Sequence, residues 1–350
     1  MNYKGFVKKY IFIVFTTISL FAALSIIVDP YGVFKSKLLK NDYQPNERFI
    51  KVDYLLKNKD KYNSYMFGSS RIGNTDPKVI EEFLPDSKFY NMTTAVANIE
   101  DYKIILKWMI ENKFNIKYLY VQIDLDNFYF HGHDNNLLLR HHYNVDNSGF
   151  WDFYSAYLFK VPFKIIKKKI KHNFKDNVII FDFYNTGMWR NLQKEELLKN
   201  EPQKYVKNEL SFHGGYGVSY KIGSNYKEII NDLSEIVKLC KSHDIKLIGF
   251  TTPHNHNMMD TFDKQSVLKF VNDISQIMDF WYFSGYNFIT NNDTNYYETS
   301  HYKEEIGAEI AKTIFNKSDN IDTFGIFVTE KNRLKVLKYI SQNIENHRKK

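Results

Sequence analysis

Residues Tyr65 to Pro77 have the sequence "YMFGSSRIGNTDP". A short apolar run stops at Gly68, and the closing Asp76-Pro77 is a helix-start signal, with Asp76 as N-cap and Pro77 in the first turn. The stretch therefore predicts a strand, a tight turn and a helix through about Phe83. A Gly-Ser-Ser turn after a strand is usually only a turn, so any chemical role for its serines depends on what the rest of the chain brings to it.

Strand and helix patterns alternate on both sides of this turn. After a first strand at 64–67, the patterns predict strands at 88–91, 118–123, 246–250 and within 281–289, and helices at 99–112, 226–243, 263–279 and 304–316. The run "YLYVQI" is mostly apolar, as a strand covered on both faces would be. Alternation with short links predicts an α/β fold, a doubly wound and mainly parallel sheet with helices on both faces.

The alternation is interrupted in the middle of the chain. We expect a cytoplasmic tip and transmembrane anchor at 1–29, a connecting segment at 30–60, a core formed by 61–127 and 226–316, an insertion or cap at 128–225, and a basic C-terminal segment at 317–350. The insertion contains the basic run "KIIKKKIKHNFK". We interpret this run as the solvated face of an amphipathic helix, with contact to a membrane or a polymer as the alternative.

The segment from Tyr10 to Val28 contains no charged residue. Its nineteen residues span roughly 28 Å as a helix, close to the hydrocarbon thickness of a bilayer. Lysines precede it, which predicts a cytoplasmic N-terminus and an extracytoplasmic remainder, hence a single-pass cell-membrane protein. A cleaved signal peptide and a buried core helix are the alternatives.

Composition narrows the function classes. The 350 residues include one cysteine, Cys240, so no intrachain disulfide can form. The formal net charge is +8, with lysines clustered near the apolar segment and at the C-terminus, where anionic lipid headgroups could lie. The sequence contains no recognised nucleic-acid-binding motif, so we expect no nucleic-acid partner.

Three loops that follow the predicted strands carry reactive side chains: "GSSR", "TTPHNH" and "ETSH". The carboxyl ends of parallel strands meet at one edge of a sheet, where sites form. A serine becomes nucleophilic when a histidine takes its proton and a carboxylate orients that histidine. Ser69 or Ser70 with His301 and Glu298 therefore form a candidate triad from the first and last loops.

Other residues allow several interpretations. Arg71 directly follows the candidate nucleophile and either binds a substrate anion or pairs with an acidic residue in the loop. The histidines at 131/133, 141/142 and 254/256 raise the question of a metal, but none of their spacings matches a strong motif. We therefore expect no metal and no cofactor, and place His254 near the cleft because it follows a strand.

"FGSSR" near the start and "YYETSHY" before the last helix resemble the SGNH (GDSL-like) hydrolase superfamily, in particular its membrane-anchored bacterial branch that modifies cell-surface polymers with acyl groups. The resemblance covers the predicted core and not the insertion. It implies that Ser70 is the nucleophile, His301 the base and Glu298 the acid, where the family usually has Asp; Asp293 is an alternative acid. The Ser70 N–H would supply one oxyanion donor.

The two middle blocks of the family are poorly matched. The family's second-block glycine has no counterpart in "NMTTAVAN", so Asn91 or Thr94 is taken as the substitute. The third-block asparagine corresponds to Asn127. Without that glycine the oxyanion hole lacks an expected donor.

These observations lead to one favoured function and two alternatives. The favoured function is an extracytoplasmic serine esterase or O-acyltransferase. It would act on acyl esters, with acetyl implied by the family alone, of a cell-envelope polysaccharide or related polymer, and a membrane acyl-donor protein is a candidate partner. The alternatives are a catalytically impaired binding or assembly subunit of a surface-polymer system and a metal-dependent hydrolase.

Overall fold

The computed structural model describes residues 3–39, 42–128, 136–175, 179–214, 220–316 and 324–349. The chain divides into two compact units. Unit 1 comprises residues 1–56 and 133–180, and unit 2 comprises residues 57–132 and 181–350.

The helices and strands are numbered along the chain. The helices are α1 (Tyr3–Val28), α2 (Glu47–Leu56), α3 (Lys78–Glu81), α4 (Ile99–Glu111), α5 (Tyr143–Asp146), α6 (Phe150–Phe159), α7 (Phe163–His172), α8 (Leu192–Asn200), α9 (Pro202–Asn208), α10 (Tyr226–Ser242), α11 (His256–Met259), α12 (Lys264–Ile274), α13 (Glu304–Asn316) and α14 (Arg333–Arg348). The strands are β1 (Ser64–Phe67), β2 (Phe89–Asn91), β3 (Tyr118–Gln122), β4 (Ile179–Phe181), β5 (Trp189–Asn191), β6 (Lys246–Phe250), β7 (Phe280–Tyr282), β8 (Tyr296–Glu298), β9 (His301–Tyr302) and β10 (Ile326–Val328).

Unit 2 is built around a six-stranded sheet in the order β10-β7-β6-β3-β1-β2. Neighbouring strands are parallel except for β10, which runs antiparallel to β7. The five parallel strands follow the 2-1-3-4-5 order of doubly wound sheets. Strands β1, β2, β3 and β7 are buried at every position, as expected of a sheet with covered faces. The predicted α/β fold with a mainly parallel sheet is confirmed.

Most elements of the sheet begin and end within a few residues of the prediction. Strand β6 and helix α13 have the predicted bounds, whereas α12 ends at Ile274, five residues early. Pro77 directly precedes α3 in a helical backbone conformation, and the Asp76 carboxylate accepts a hydrogen bond from the Lys78 N–H at 3.0 Å, as expected of a capping side chain. Strand β10 lies beyond the predicted core and was not anticipated.

Unit 1 is mainly helical over its described residues and contains α1, α2, α5, α6 and α7. Its core joins the segment after α1 to α6, because the Asn46 amide donates to the Tyr157 hydroxyl at 2.6 Å and Phe49 stacks on Phe153 with ring centroids 5.0 Å apart. Helix α1 has a mean hydropathy of 2.6 over its most apolar window and is largely unburied there. By length and composition α1 can cross a membrane, as predicted for the anchor.

Candidate active site

Ser70 opens a single 3-10 turn directly after the end of β1. Ser69 caps this turn in an extended conformation, with its hydroxyl accepting from the Arg71 N–H at 3.5 Å. Gly68 is required between strand and turn because a Cβ there would lie 2.5 Å from Ile72 and 2.8 Å from the Gln122 Oε1. The turn lies beside β3, at the point where the strand order reverses and doubly wound sheets form their sites.

His301 and Glu298 lie on the small antiparallel hairpin formed by β8 and β9. The His301 Nε2 lies 2.8 Å from the Ser70 hydroxyl oxygen, across 231 residues of sequence. The other ring nitrogen of His301, Nδ1, is hydrogen-bonded to the Glu298 Oε1. The structure thus brings serine, imidazole and carboxylate together in the order that activates a serine nucleophile.

The surroundings keep the Glu298 carboxyl ionised. Burial alone would raise its pKa, but the hydrogen bond and charge of His301 and the nearby Lys194 ammonium outweigh burial, so the pKa lies below its ordinary value. The Lys194 Nζ lies 3.3 Å from the Glu298 Oε2. An ionised carboxylate accepts a hydrogen bond from the N–H at His301 Nδ1, so the proton stays on Nδ1. The unprotonated Nε2 is then the basic nitrogen that faces Ser70.

Trp189 on β5 contacts both Ser70 and His301. Its indole Nε1 donates to the Ser70 carbonyl at 3.2 Å, and its ring meets the His301 ring edge-on with centroids 5.7 Å apart. Gly73 permits this approach, because a Cβ there would lie 2.3 Å from the indole nitrogen. Trp189 falls in the segment predicted to be an insertion, and sequence reasoning did not select it.

A cavity of about 210 Å³ opens above Ser70 and His301. Eleven residues line it: Ser69, Ser70, Arg71, Val96, Ala97, Asn98, Asp126, Asn127, Tyr220, Ser300 and His301. The cavity is mixed in character, with apolar side chains from Val96 and Ala97 opposite polar groups. It has room for a small group attached to a larger molecule that remains outside.

Two backbone N–H groups at this cavity are available to an oxyanion. Within the described residues, neither the Ser70 N–H nor the Val96 N–H donates a hydrogen bond to the protein. Asn127 donates one amide hydrogen to the Ala97 carbonyl at 2.9 Å and retains a second. Val96 is 59% exposed and has a φ of 54°, a left-handed conformation that a β-branched residue rarely adopts. A valine therefore occupies the backbone conformation for which a glycine is the usual residue.

Arg71 is held by two carboxylates behind the cavity. Its guanidinium lies 2.6 Å from Asp126 and 3.4 Å from Asp124, and all three side chains are largely or fully buried. Asp124 also accepts from the Thr252 N–H at 2.6 Å and from the Gln122 amide. Of the two interpretations of Arg71, the structure places it in an ion pair that ties the nucleophile turn to the loops after β3 and β6.

The charge of Arg71 controls the ionisation of Asp126. Burial raises the pKa of Asp126, but the Arg71 charge and the hydrogen bond from His254 outweigh burial, so the pKa falls well below its ordinary value. Burial lowers the pKa of Arg71, and the two carboxylates more than reverse that effect. The Arg71 guanidinium and the Asp126 carboxylate therefore each favour the charged form of the other in the protein interior.

His254 lies behind the candidate triad and not in the cavity. Its Nδ1 pairs with the Ser284 hydroxyl at 3.2 Å, and its Nε2 lies 3.5 Å from the Asp126 carboxylate. Asp124, Asp126 and His254 have the geometry of a metal-binding trio. The Arg71 guanidinium, however, already supplies the positive charge between the two carboxylates, so this trio does not fit a cation.

Asn91 and Thr94 are not among the residues that line the cavity. The Asn91 amide donates to the carbonyls of Ile72, Gly73 and Thr75 at 3.1 to 3.3 Å, so it holds the loop after the nucleophile turn. The Thr94 N–H donates to the Gly68 carbonyl at 3.1 Å. Both residues shape the loops, and neither supplies a donor to the candidate oxyanion position.

The remaining carboxylate and histidine candidates lie elsewhere. Asp293 pairs with His256 at 3.2 Å and is not the partner of His301. The His142 Nδ1 accepts from the Asn144 N–H at 3.1 Å and caps α5 in unit 1. The pair at 131 and 133 lies outside the described residues.

The residues of this region that sequence reasoning missed lie at or after the ends of two strands. Gln122 is the last residue of β3, Asp124 and Asp126 follow that strand, and Lys194 follows β5. The signal for the first three was present, because polar side chains after a buried parallel strand mark the same sheet edge as Ser70. Nothing in the sequence connected Lys194 with Glu298.

No protein-family model matches this chain, and no curated protein matches its sequence. The family resemblance therefore rests on the short motifs around Ser70 and His301.

Proposed function

We propose that the chain is a serine hydrolase or O-acyltransferase of SGNH type, in which Ser70 carries the acyl group. The proposal rests on two consecutive hydrogen bonds at a cavity, one between Ser70 and His301 and one between His301 and Glu298. Each of the three groups faces the partner that its role requires.

The first half of the reaction transfers an acyl group to the enzyme. The Ser70 hydroxyl attacks an ester carbonyl while the His301 Nε2 takes its proton. The negative oxygen of the tetrahedral intermediate accepts hydrogen bonds from the N–H groups of Ser70 and Val96 and from the Asn127 amide. The intermediate collapses, the alcohol leaves with the proton from His301, and an acyl-Ser70 ester remains.

The second half transfers the acyl group to an acceptor. His301 removes a proton from the acceptor hydroxyl, which attacks the acyl-Ser70 carbonyl, and the proton returns to Ser70 as its oxygen leaves. Water as the acceptor gives an esterase, and a sugar hydroxyl gives an O-acyltransferase. The small cavity favours a short acyl group, and the apolar helix α1 favours a membrane-attached enzyme. The lysines before α1 favour a catalytic unit outside the cytoplasm, and the family resemblance implies a cell-envelope polymer as the acceptor.

Covalent labelling tests the proposal. A fluorophosphonate should modify wild-type protein once, and the modified peptide should carry the adduct on Ser70. Ser70→Ala and His301→Ala should remain unlabelled. Ser69→Ala is the matched control and should still be labelled, because the Ser69 hydroxyl donates to Gln122 and not to His301.

Two outcomes would redirect the assignment. A folded wild-type protein that remains unlabelled, with no ester hydrolysis, would favour the binding or assembly subunit. Loss of hydrolysis on addition of a chelator, with recovery on addition of Zn²⁺, would favour a metal-dependent hydrolase. We expect labelling to be unaffected by the chelator, because Arg71 already occupies the buried trio of Asp124, Asp126 and His254.

A further inference from the structure

Helices α6 and α7 of unit 1 both pack against α1. Burial along α1 is concentrated near its C-terminal end, where Ser25 and Val28 are its buried residues. The apolar side chains nearer its N-terminus are mostly exposed. The packing of α6 and α7 against α1 and the burial at its C-terminal end together indicate that the α6–α7 pair lies near the point where the chain would leave a membrane.

Asp29 directly follows α1, and its carboxylate accepts N–H groups from Val33 at 2.9 Å and Phe34 at 3.0 Å. Burial raises the pKa of Asp29, and the charge of Lys169, a buried residue of α7, opposes that effect. Helix α7 also packs against α1, so the start of unit 1 after α1 and the α6–α7 pair belong to one packed structure.

The outward surface of this pair is aromatic. Trp151 is 79% exposed, Phe163 is 65% exposed, and Phe174 is 82% exposed. Phe150 and Phe159 are also exposed, at the two ends of α6. Large aromatic side chains in water are unfavourable, and Trp in particular is enriched where a membrane meets water.

Lysines accompany these aromatic residues. Six exposed lysines lie between residues 160 and 175: Lys160, Lys164, Lys167, Lys168, Lys171 and Lys175. The segment from 147 to 175 contains one acidic residue, Asp152, which pairs with Arg140. On α7, Phe163 and Ile170 lie about two turns apart on one side, next to the lysine-bearing side. This is the pattern of a helix that lies in a membrane interface.

We propose that the surface formed by these exposed aromatic residues and lysines, here called the aromatic–lysine face, lies in the headgroup region of the membrane that α1 crosses. Its aromatic rings enter the boundary between headgroups and acyl chains, and its lysine ammonium groups bind anionic lipid headgroups. The face is continuous with α1 through the packing of α6 and α7, so a lipid surface is the occupant that its position and charge fit. Unit 1 is then a membrane-surface platform, independent of the chemistry in unit 2.

Depth measurements on the full chain in lipid vesicles test this proposal. In a Cys240→Ala background, Trp151→Cys, Phe163→Cys and Phe174→Cys each receive a nitroxide label. Leu210→Cys and Leu334→Cys are the matched controls, because these unit 2 side chains are 82% and 74% exposed. In phosphatidylcholine vesicles containing phosphatidylglycerol, labels on the aromatic–lysine face should collide more with oxygen than with a water-soluble nickel chelate. The two controls should show the reverse.

A second measurement uses the tryptophan fluorescence of the protein and needs no nitroxide label. Brominated lipids should quench tryptophan fluorescence of the wild type, and Trp151→Phe should remove most of that quenching.

Replacing Lys164, Lys167, Lys168 and Lys171 together by Gln tests the role of the lysines. The nitroxide labels should then lie less deep in the bilayer, but only in vesicles that contain phosphatidylglycerol. Labels as accessible to the nickel chelate as the controls would overturn the proposal and favour a soluble partner. Depth unaffected by phosphatidylglycerol would overturn the headgroup contact.

Discussion

The His301 Nε2 and the Ser70 hydroxyl oxygen lie 2.8 Å apart, although 231 residues separate them. Ser70 reaches this position through a 3-10 turn after a central strand of the sheet, and His301 through a two-residue strand of a separate hairpin. A parallel sheet explains the meeting, because its loops gather at the carboxyl ends of the strands. Because this hydrogen bond joins two named side chains, single substitutions around it can test the proposed chemistry.

Replacing Glu298 by Gln should slow the reaction of Ser70 by about 10²–10⁴-fold, since an amide cannot stabilise the imidazolium that forms on His301. The measurement is the second-order rate of fluorophosphonate labelling. Lys194→Met is the control, because Lys194 contacts Glu298 and not His301, and its effect should be about tenfold or less. Equal losses of labelling rate in Glu298→Gln and Lys194→Met would show that the rate depends on the charges around His301 and not on its orientation by Glu298.

Replacing Arg71 by Met should destabilise unit 2 by about 3–5 kcal/mol, because it leaves two buried carboxylates without their cation. Urea unfolding followed by circular dichroism measures the change. Adding Asp126→Asn to Arg71→Met should recover part of the loss, since one of the two stranded charges is then removed. A fully stable Arg71→Met protein with weakened substrate binding would instead support a role in anion recognition.

Val96→Gly should leave the free energy of unfolding unchanged or raise it by up to about 1 kcal/mol, because glycine relieves the left-handed backbone at this position while increasing the entropy of the unfolded chain. Val206→Gly in α9 is the control and should lose about 1 kcal/mol or more, since its backbone is helical and its side chain is half-buried. Similar losses at the two positions would argue against strain at Val96.

The contribution of the His256–Asp293 ion pair to the free energy of unfolding should have a bell-shaped dependence on pH. The hydrogen bond that the His256 ring donates to the Asp293 carboxylate raises the pKa of His256 above 6.5 against the opposing effect of burial. Burial alone would raise the pKa of Asp293, but its hydrogen bond to His256 lowers it below 3.8. The contribution is thus complete between about pH 4 and 6.5, and is lost as pH rises through the raised pKa of His256 or falls through the lowered pKa of Asp293.

The measurement is the unfolding free energy of the wild type and of His256→Gln across this pH range. The difference should be about 1 kcal/mol at its maximum and should shrink on both sides. In an Asp293→Asn background the same substitution should show a flatter pH profile. A difference that grows above pH 8 would contradict the ion pair.

Local sequence patterns were enough to predict the α/β class, most strand and helix positions and an apolar N-terminal helix. Buried strands and amphipathic helices depend on local periodicity, which is visible along the chain. The sequence also selected Ser70, His301 and Glu298, because short motifs keep these residue types next to predictable strand ends.

Only the tertiary structure decided which groups meet. Lys194 and Trp189 reach the site from a segment without core-like alternation, and Arg71 turned out to pair with Asp124 and Asp126. The packing of α7 against α1 likewise joins segments that are far apart in the chain. Such contacts depend on side-chain packing and charge between distant segments, and local sequence patterns carry no record of them.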